Sequence, residues 1–251
     1  FFNPATMGYY TQARKLEDVA SHSFSTVVDQ VSYPILSKFQ SDNAAMQSVL
    51  YKLTTALAYV TFPLMLVLIL VAEPLITLLY GDKWLPCVPY FQILCVAGIA
   101  SCLQVTYYYA VASKGESKEL FIWTIIKRGA ALIVLVAGMY IWKIEGLLWA
   151  SAIGAWLILF ANAYLASKHT GYTLIKQLKD MMPITMLSVI VFYIAYILIN
   201  SISLNIYIEA IISLVLYLTL YLSLSFKFKI KAFMYLFEII RNYKKSPQNV
   251  F

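Results

Sequence analysis

Near the start of this 251-residue chain, Arg14, Asp18, His22, Ser25, Asp29 and Ser32 follow one another at steps of four, four, three, four and three. That spacing stacks all six on one face of a 3.6-period helix, while Val19, Val27, Val28, Val31 and Ile35 cover the others. A planar guanidinium at Arg14 suits a phosphate. His22 and Asp29 suit proton or cation coupling, because imidazole titrates near neutral pH and intramembrane carboxylates serve in relays. Plainer readings stand beside these. Arg14 and Asp18 can form an ordinary i,i+4 bridge, His22 and Asp29 a satisfied polar pair, and the whole helix can lie flat on a membrane. A second cationic pair, Lys127 and Arg128, stands among apolar residues and invites the same choice between binding an anionic headgroup and snorkelling to the interface.

Other chemistry has no visible residues. Cys87, Cys95 and Cys102 lack ligand spacing, and His169 stands alone in a loop, so no metal is expected. The chain has no Gly-rich phosphate loop, G-x-S-x-G elbow or H-E-x-x-H pair, so neither a cofactor nor enzymatic activity is expected. Tyr107, Tyr108 and Tyr109 could stack a sugar, or simply pack.

The elements that must hold these groups are membrane helices. Hydrophobic residues make up 61% of the chain and charged ones only 12%, about half the share in soluble domains. Seven apolar runs are long enough to span, at approximately 11–36, 53–79, 87–112, 120–142, 147–166, 182–200 and 207–225. The expected fold is an all-α polytopic membrane bundle over 1–225, followed at 226–251 by a basic amphipathic cytoplasmic tail. In that tail Ile230, Phe233, Phe237 and Ile240 share one helical side, with Lys231, Glu238, Arg241 and Lys245 on the other. The net charge of +7 therefore points to a bilayer surface and not to nucleic acid. One set of loops, with the tail, holds thirteen Lys and Arg and the other only Lys83 and Lys143, which places the amino end outside and the tail inside. Pro63 and Pro74 invite kinks in the second span, and 1–8 reads as a turn from a missing upstream helix.

Several segments then carry a resemblance. Gly8-Tyr9-Tyr10, Ala13-Arg14-Lys15-Leu16, Val31 through Gln40, Thr61-Phe62-Pro63-Leu64, Ala72-Glu73-Pro74-Leu75 and Gly81 through Pro86 together resemble the polysaccharide exporters of the Wzx type, in particular the colanic and teichuronic acid branch. The resemblance covers about 8–118. It implies a two-lobe flippase fold of the multidrug/oligosaccharidyl-lipid/polysaccharide superfamily, of which only the second lobe and two extra helices are here. It also implies a bacterial inner-membrane transporter that carries undecaprenyl-pyrophosphate-linked oligosaccharide outward for capsular, exopolysaccharide or O-antigen synthesis. Half the cavity would then lie in a missing N-terminal lobe. Arg14 falls where the related lipid II flippases place a cavity arginine, although here it stands one residue further from the tyrosines and Lys15 precedes Leu16. Two alternatives remain. A small-molecule cation antiporter of the same superfamily would favour acidic and aromatic groups over Arg14, Lys127 and Arg128. A membrane-embedded polymerase or ligase would need a long external loop, whereas those at 80–86, 143–146 and 201–206 are short.

Overall fold

The computed structural model describes residues 3–200 and 205–245, without the side chains of 24, 25, 27, 29, 200 and 239–245. The elements among them are all helices: α1 (Pro4–Ser37), α2 (Asn43–Leu70), α3 (Ala72–Tyr80), a 3₁₀ turn (Asp82–Cys87), α4 (Val88–Ala112), α5 (Ser117–Thr170), α6 (Leu174–Asn200), α7 (Ile206–Lys227) and α8 (Lys231–Lys245). Five of them, α2, α4 with its 3₁₀ turn, α5, α6 and α7, are long and apolar enough to cross a membrane.

Local chemistry sets several boundaries. Asn3 caps α1, its side chain accepting from the Ala5 amide at 3.2 Å, and Pro4 opens the helix, so Gly8 lies inside a helix where a turn was expected. Asp42 caps α2 by accepting from Ala44 and Ala45 at 2.9 and 3.1 Å. The run expected to cross as 53–79 instead stops at Leu70 and restarts at Ala72. Pro74 has no N–H to offer the Leu70 carbonyl, which weakens any continuation of α2, and in the first turn of α3 proline costs little. Pro63 stays inside α2.

The two runs at 120–142 and 147–166 form one hairpin. Trp142 and Lys143 leave helical geometry, Lys143 with φ 53°, and fold α5 back on itself. Glycines make the tight turn possible, because a Cβ on Gly138 would lie 2.5 Å from the Gly146 carbonyl oxygen.

α2 and α4 form the centre. α4 packs against α1, α2 and α5, while α2 also packs against α6 and α8. Leu50, Met65, Phe91, Leu94 and Leu103 are essentially inaccessible there. Large apolar side chains on the outside, including Ile133, Ile141, Met186, Ile190 and Ile197, are more than half exposed. Such a surface is stable against hydrocarbon and not against water. The hydroxyls of Tyr217 and Tyr221, both buried, donate to the carbonyls of Ser188 and Tyr59 at 3.2 and 3.1 Å.

α1 departs from the sequence expectation. It is too polar along its length to count among the five apolar candidates, so the expected span at 11–36 is an amphipathic helix. It nevertheless runs beside α4 in the same direction. The Cys87 thiol donates to the Tyr9 carbonyl at 3.3 Å, Cys102 to that of Ser21 at 3.7 Å, and the Tyr33 ring meets Tyr109 edge-on at 5.9 Å. A helix held along α4 in this way is not lying across the bundle's end. The tail helix α8 also differs from a free tail, since Ala232, Phe233 and Leu236 pack against the core. Tyr59 and Phe233 rings are 6.0 Å apart, and Lys52 sits 5.4 Å over Tyr235.

Tertiary contacts gather the basic loops at one end of the bundle. Lys114 donates to the Gln40 carbonyl and to Asn43, Gln47 donates to the Thr170 carbonyl, and Lys52 reaches α8. Lys83 and Lys143 lie in the turns at the opposite end.

Candidate functional site

Two polar regions emerge, and they are separate. On α1, Arg14 Nε lies 3.1 Å from Asp18 Oδ1, and its Nη1 lies 3.7 Å from Glu17 Oε2. Asp18 and Arg14 are about half exposed, but the Glu17 side chain is only 2% exposed. Glu17 was not on the expected stripe. It points into the α1–α4 contact, where Gly98 admits it: a Cβ on Gly98 would stand 2.5 Å from Glu17 Oε1. The signal was legible as a glycine within an apolar span, but nothing in the sequence pairs Gly98 with Glu17.

His22 is exposed, with Nδ1 3.2 Å from Thr26 Oγ1. Together with Asp18, Val19, Ser23 and Thr26 it lines an open depression of about 350 Å³. Asp29 is in the same helix, and its side chain, like that of Ser25, lies outside the described residues. Ser32 breaks the stripe. It is 1% exposed and on the packed side, although it stands five full turns from Arg14 on the same helical face. The reason is geometric. Among the described residues of α1, Ala13, Glu17, Ser21, Ser32 and Leu36 are the buried positions, and a contact line following i, i+4 ridges is inclined to the helix axis. That line drifts round α1 until it reaches the face that Arg14 occupies further back.

The second region is a cavity of about 380 Å³ between α4 and the two legs of α5, lined among others by Gln104, Tyr108, Tyr109, Lys127, Arg128 and Asn162. Lys127 is 8% exposed and donates to Asn162 Oδ1, while Asn162 Nδ2 donates to Gln104 Oε1 at 3.1 Å. A buried ammonium needs such partners, because desolvating a charge is costly unless hydrogen bonds replace water. Arg128 is exposed, and among the described residues it makes no ion pair or side-chain hydrogen bond. Of the three consecutive tyrosines, Tyr108 and Tyr109 line this cavity. Tyr107 is buried against α6, its hydroxyl 3.6 Å from the Met181 sulfur, and can take no part in a sugar platform. Asn162 and Gln104 are polar residues within apolar spans, and that was their only sequence signal.

Among the described residues, none from α1 lines the cavity. Counting along α4 from the Ser21–Cys102 contact, Arg14 lies roughly 20 Å along the axis from Tyr108. Arg14 is therefore not brought to Lys127 and Arg128. His169, expected alone in a loop, is in the last turn of α5, where Nε2 lies 2.8 Å from Glu119 Oε2 and Nδ1 4.0 Å from Glu116. Lys168 holds the other Glu119 oxygen at 2.7 Å. These groups have metal-ligand chemistry, but with both Glu119 oxygens engaged they act as an ionic clasp across the open end of the α5 hairpin.

Comparison with known proteins agrees with these features. Residues 1–89 match the family described as polysaccharide biosynthesis protein. The teichuronic acid biosynthesis protein TuaB of Bacillus subtilis (strain 168) is 28% identical over 123 residues, 49% of this chain and 26% of that protein. An uncharacterized membrane protein in the cps region of Klebsiella pneumoniae is 28% identical over 142 residues, 57% of this chain and 28% of that protein. The lipopolysaccharide biosynthesis protein WzxC of Escherichia coli (strain K12) is 29% identical over 92 residues, 37% of this chain and 19% of that protein. Matched segments thus span less than a third of the length of these relatives. In fold, 91% of the chain superposes on 49% of the lipid II flippase MurJ in an inward closed conformation, with a TM-score of 0.71 at 17% identity. Over residues 1–89 the chain is thus similar to the polysaccharide biosynthesis protein family, in line with the Wzx-type resemblance of its motifs, and it has the fold of one half of a MurJ-like multi-pass membrane bundle.

Proposed function

We propose that this chain forms the second lobe and the extra helices of a transporter that moves undecaprenyl-pyrophosphate-linked oligosaccharide from the inner to the outer leaflet of the bacterial inner membrane. The observation that carries this reading is the cavity between α4 and α5, where Arg128 is unengaged beside the Lys127–Asn162–Gln104 chain and two tyrosines. A pyrophosphate with sugars cannot cross hydrocarbon unaided, since transfer of even one isolated charge costs tens of kcal/mol in the Born estimate. A hydrated path needs cations for the phosphates and aromatic or amide surfaces for the sugars, while the isoprenoid tail stays in lipid. Arg128 supplies the first, and Tyr108, Tyr109 and Gln104 the second. Fold likeness to a lipid II flippase and kinship with polysaccharide biosynthesis proteins support the same assignment.

The basic end of the bundle faces the cytoplasm in this reading, following the bias of Lys and Arg toward inner loops. Each negative charge carried outward then gains roughly 2.3 kcal/mol per 100 mV of interior-negative potential, so coupling to an ion is not required energetically. Arg14, Asp18, His22 and Asp29 are a second contact region for the headgroup or a coupling ion, reached as the two lobes rock. Arg14 serves there by exchanging its carboxylate partners for phosphate.

The test is flipping of a labelled lipid-linked oligosaccharide by the complete protein in proteoliposomes. Arg128→Ala should lower the rate roughly tenfold or more, the scale of a lost charge-assisted hydrogen bond, without changing thermal stability. Arg14→Ala should abolish flipping while the protein still inserts. Unchanged flipping in Arg128→Ala would remove the cavity from the mechanism. An imposed pH gradient should alter the wild-type rate if His22 and Asp29 couple protons, and indifference to the gradient excludes that role.

A further inference from the structure

A second cavity, of about 260 Å³, opens at the basic end between α2, α6 and the turn joining α7 to α8. Three lysines line it: Lys179 from α6, Lys229 from the turn and Lys231 at the start of α8. Among the described residues none of their side chains makes an ion pair or a hydrogen bond. The one acid in the cavity, Asp180, already accepts from the Tyr172 hydroxyl at 2.6 Å. Nearby Lys52 and Lys176 are occupied over the rings of Tyr235 and Tyr172. Three unpaired cations thus surround a space that holds one carboxylate, which leaves an excess of positive charge facing it.

The backbone adds two details. Lys229 sits in the left-handed region with φ 49°, where a side chain is disfavoured and glycine is at home. The turn is closed by Lys229 and Ile230 amides donating to Phe226 and Ser225 carbonyls at 3.2 and 3.1 Å. A strained lysine at a helix end that glycine would suit better is an outlier of the kind that accompanies binding. Pro183, also lining the cavity, has no N–H to give the Lys179 carbonyl, which is left ready to accept from a hydroxyl. Phe228, which also lines the cavity, is more than half exposed, and Lys179 is shared with an adjoining apolar cavity lined by the half-exposed Met182 and Met186, so an apolar surface of the type acyl chains cover begins at Lys179.

From this juxtaposition we infer that the pocket of Lys179, Lys229 and Lys231 binds the headgroup of an anionic, hydroxyl-bearing phospholipid of the phosphatidylglycerol class, which ties α8 to the bundle through the lipid. The phosphate lies among the lysines, headgroup hydroxyls reach the Lys179 carbonyl and Asp180, and the acyl chains run over Met182 and Met186. This assignment is independent of the transport reading, because it concerns a lipid of the surrounding bilayer and not the cargo.

The experiment is native mass spectrometry and thermal unfolding of the purified chain in mild detergent, titrated with phosphatidylglycerol, phosphatidylcholine or inorganic phosphate. Phosphatidylglycerol should remain bound and raise the unfolding temperature, and the other two should not. Affinity should fall about fivefold per lysine replaced by Gln, and on the order of a hundredfold for Lys179, Lys229 and Lys231 together. Lys229→Gly is the decisive variant, since it removes a charge while suiting the backbone. It should keep or gain stability without lipid and lose affinity for phosphatidylglycerol. Lys83→Gln, at the far end, should change nothing. Full phosphatidylglycerol binding by the triple variant, an equal loss in Lys83→Gln, or protection by phosphate alone would each overturn the assignment.

Discussion

Arg14 and Lys127 are both cations in a chain that is 61% hydrophobic, yet the protein satisfies them by opposite means. Arg14 stays half exposed and is shared by two carboxylates of its own helix, three and four residues on. Lys127 is buried and is answered by Asn162, 35 residues away on the returning leg of α5, which in turn is held by Gln104 of α4. A local pair can be read from spacing, since i, i+3 and i, i+4 neighbours meet on any helix. A pair made across helices depends on how the hairpin closes and which ridge packs on which. The two regions should therefore respond differently to mutation, the first weakly and the second strongly.

The largest effect is expected at Asn162. Replacing it with Leu leaves the Lys127 ammonium buried beside an apolar group and removes the donor to Gln104, at a cost of about 3 kcal/mol. Thermal unfolding in detergent should show that loss, and Lys127→Met in the same background should restore part of it. Stability unchanged in Asn162→Leu would mean that water, and not Asn162, carries the lysine.

Gly98 tests the buried side of α1. Ala at that position brings a methyl group against Glu17 and Met65, an overpacking expected to cost about 2 kcal/mol. Because the sharpest clash is with the Glu17 side chain, Glu17→Ala should relieve most of it, and the double variant should be more stable than the sum of the two losses. Additive losses in that cycle would show that Glu17 does not occupy the space above Gly98.

Much of the fold was legible because apolar runs and helix boundaries obey local rules. The expected span at 87–112 and α4 differ by one residue at the start, and the charge gap at 143–146 contains part of the turn of α5. The division of α2 from α3 was less so, since Pro74 is tolerated in a kinked helix as well as in a first turn and hydropathy does not choose between them. For the candidate site, Arg14, Asp18 and His22 share an accessible flank of α1, as their spacing implies. Ser32 fails because helix pairs meet along inclined ridges and a constant-angle stripe crosses that line. Glu17, Gln104 and Asn162 were missed for a related reason. Each gains its role from a partner on another helix.

The smallest effect is expected at Asp18, and it sharpens the comparison from the exposed side. Its contact with Arg14 is 3.1 Å, but both side chains are about half exposed, so water and salt screen the pair to a few tenths of a kcal/mol. Asp18→Asn should shift the unfolding temperature by about a degree or less, and less still at high salt. Its informative consequence lies in Arg14. With one carboxylate gone, the guanidinium is held by Glu17 alone at 3.7 Å and is freer to meet an incoming phosphate. If Arg14 exchanges partners during transport, Asp18→Asn should raise the rate of headgroup capture in the flipping assay while leaving stability nearly untouched. A fall in that rate would instead assign Asp18 to holding Arg14 in its working position, and the exchange of partners would have to be abandoned.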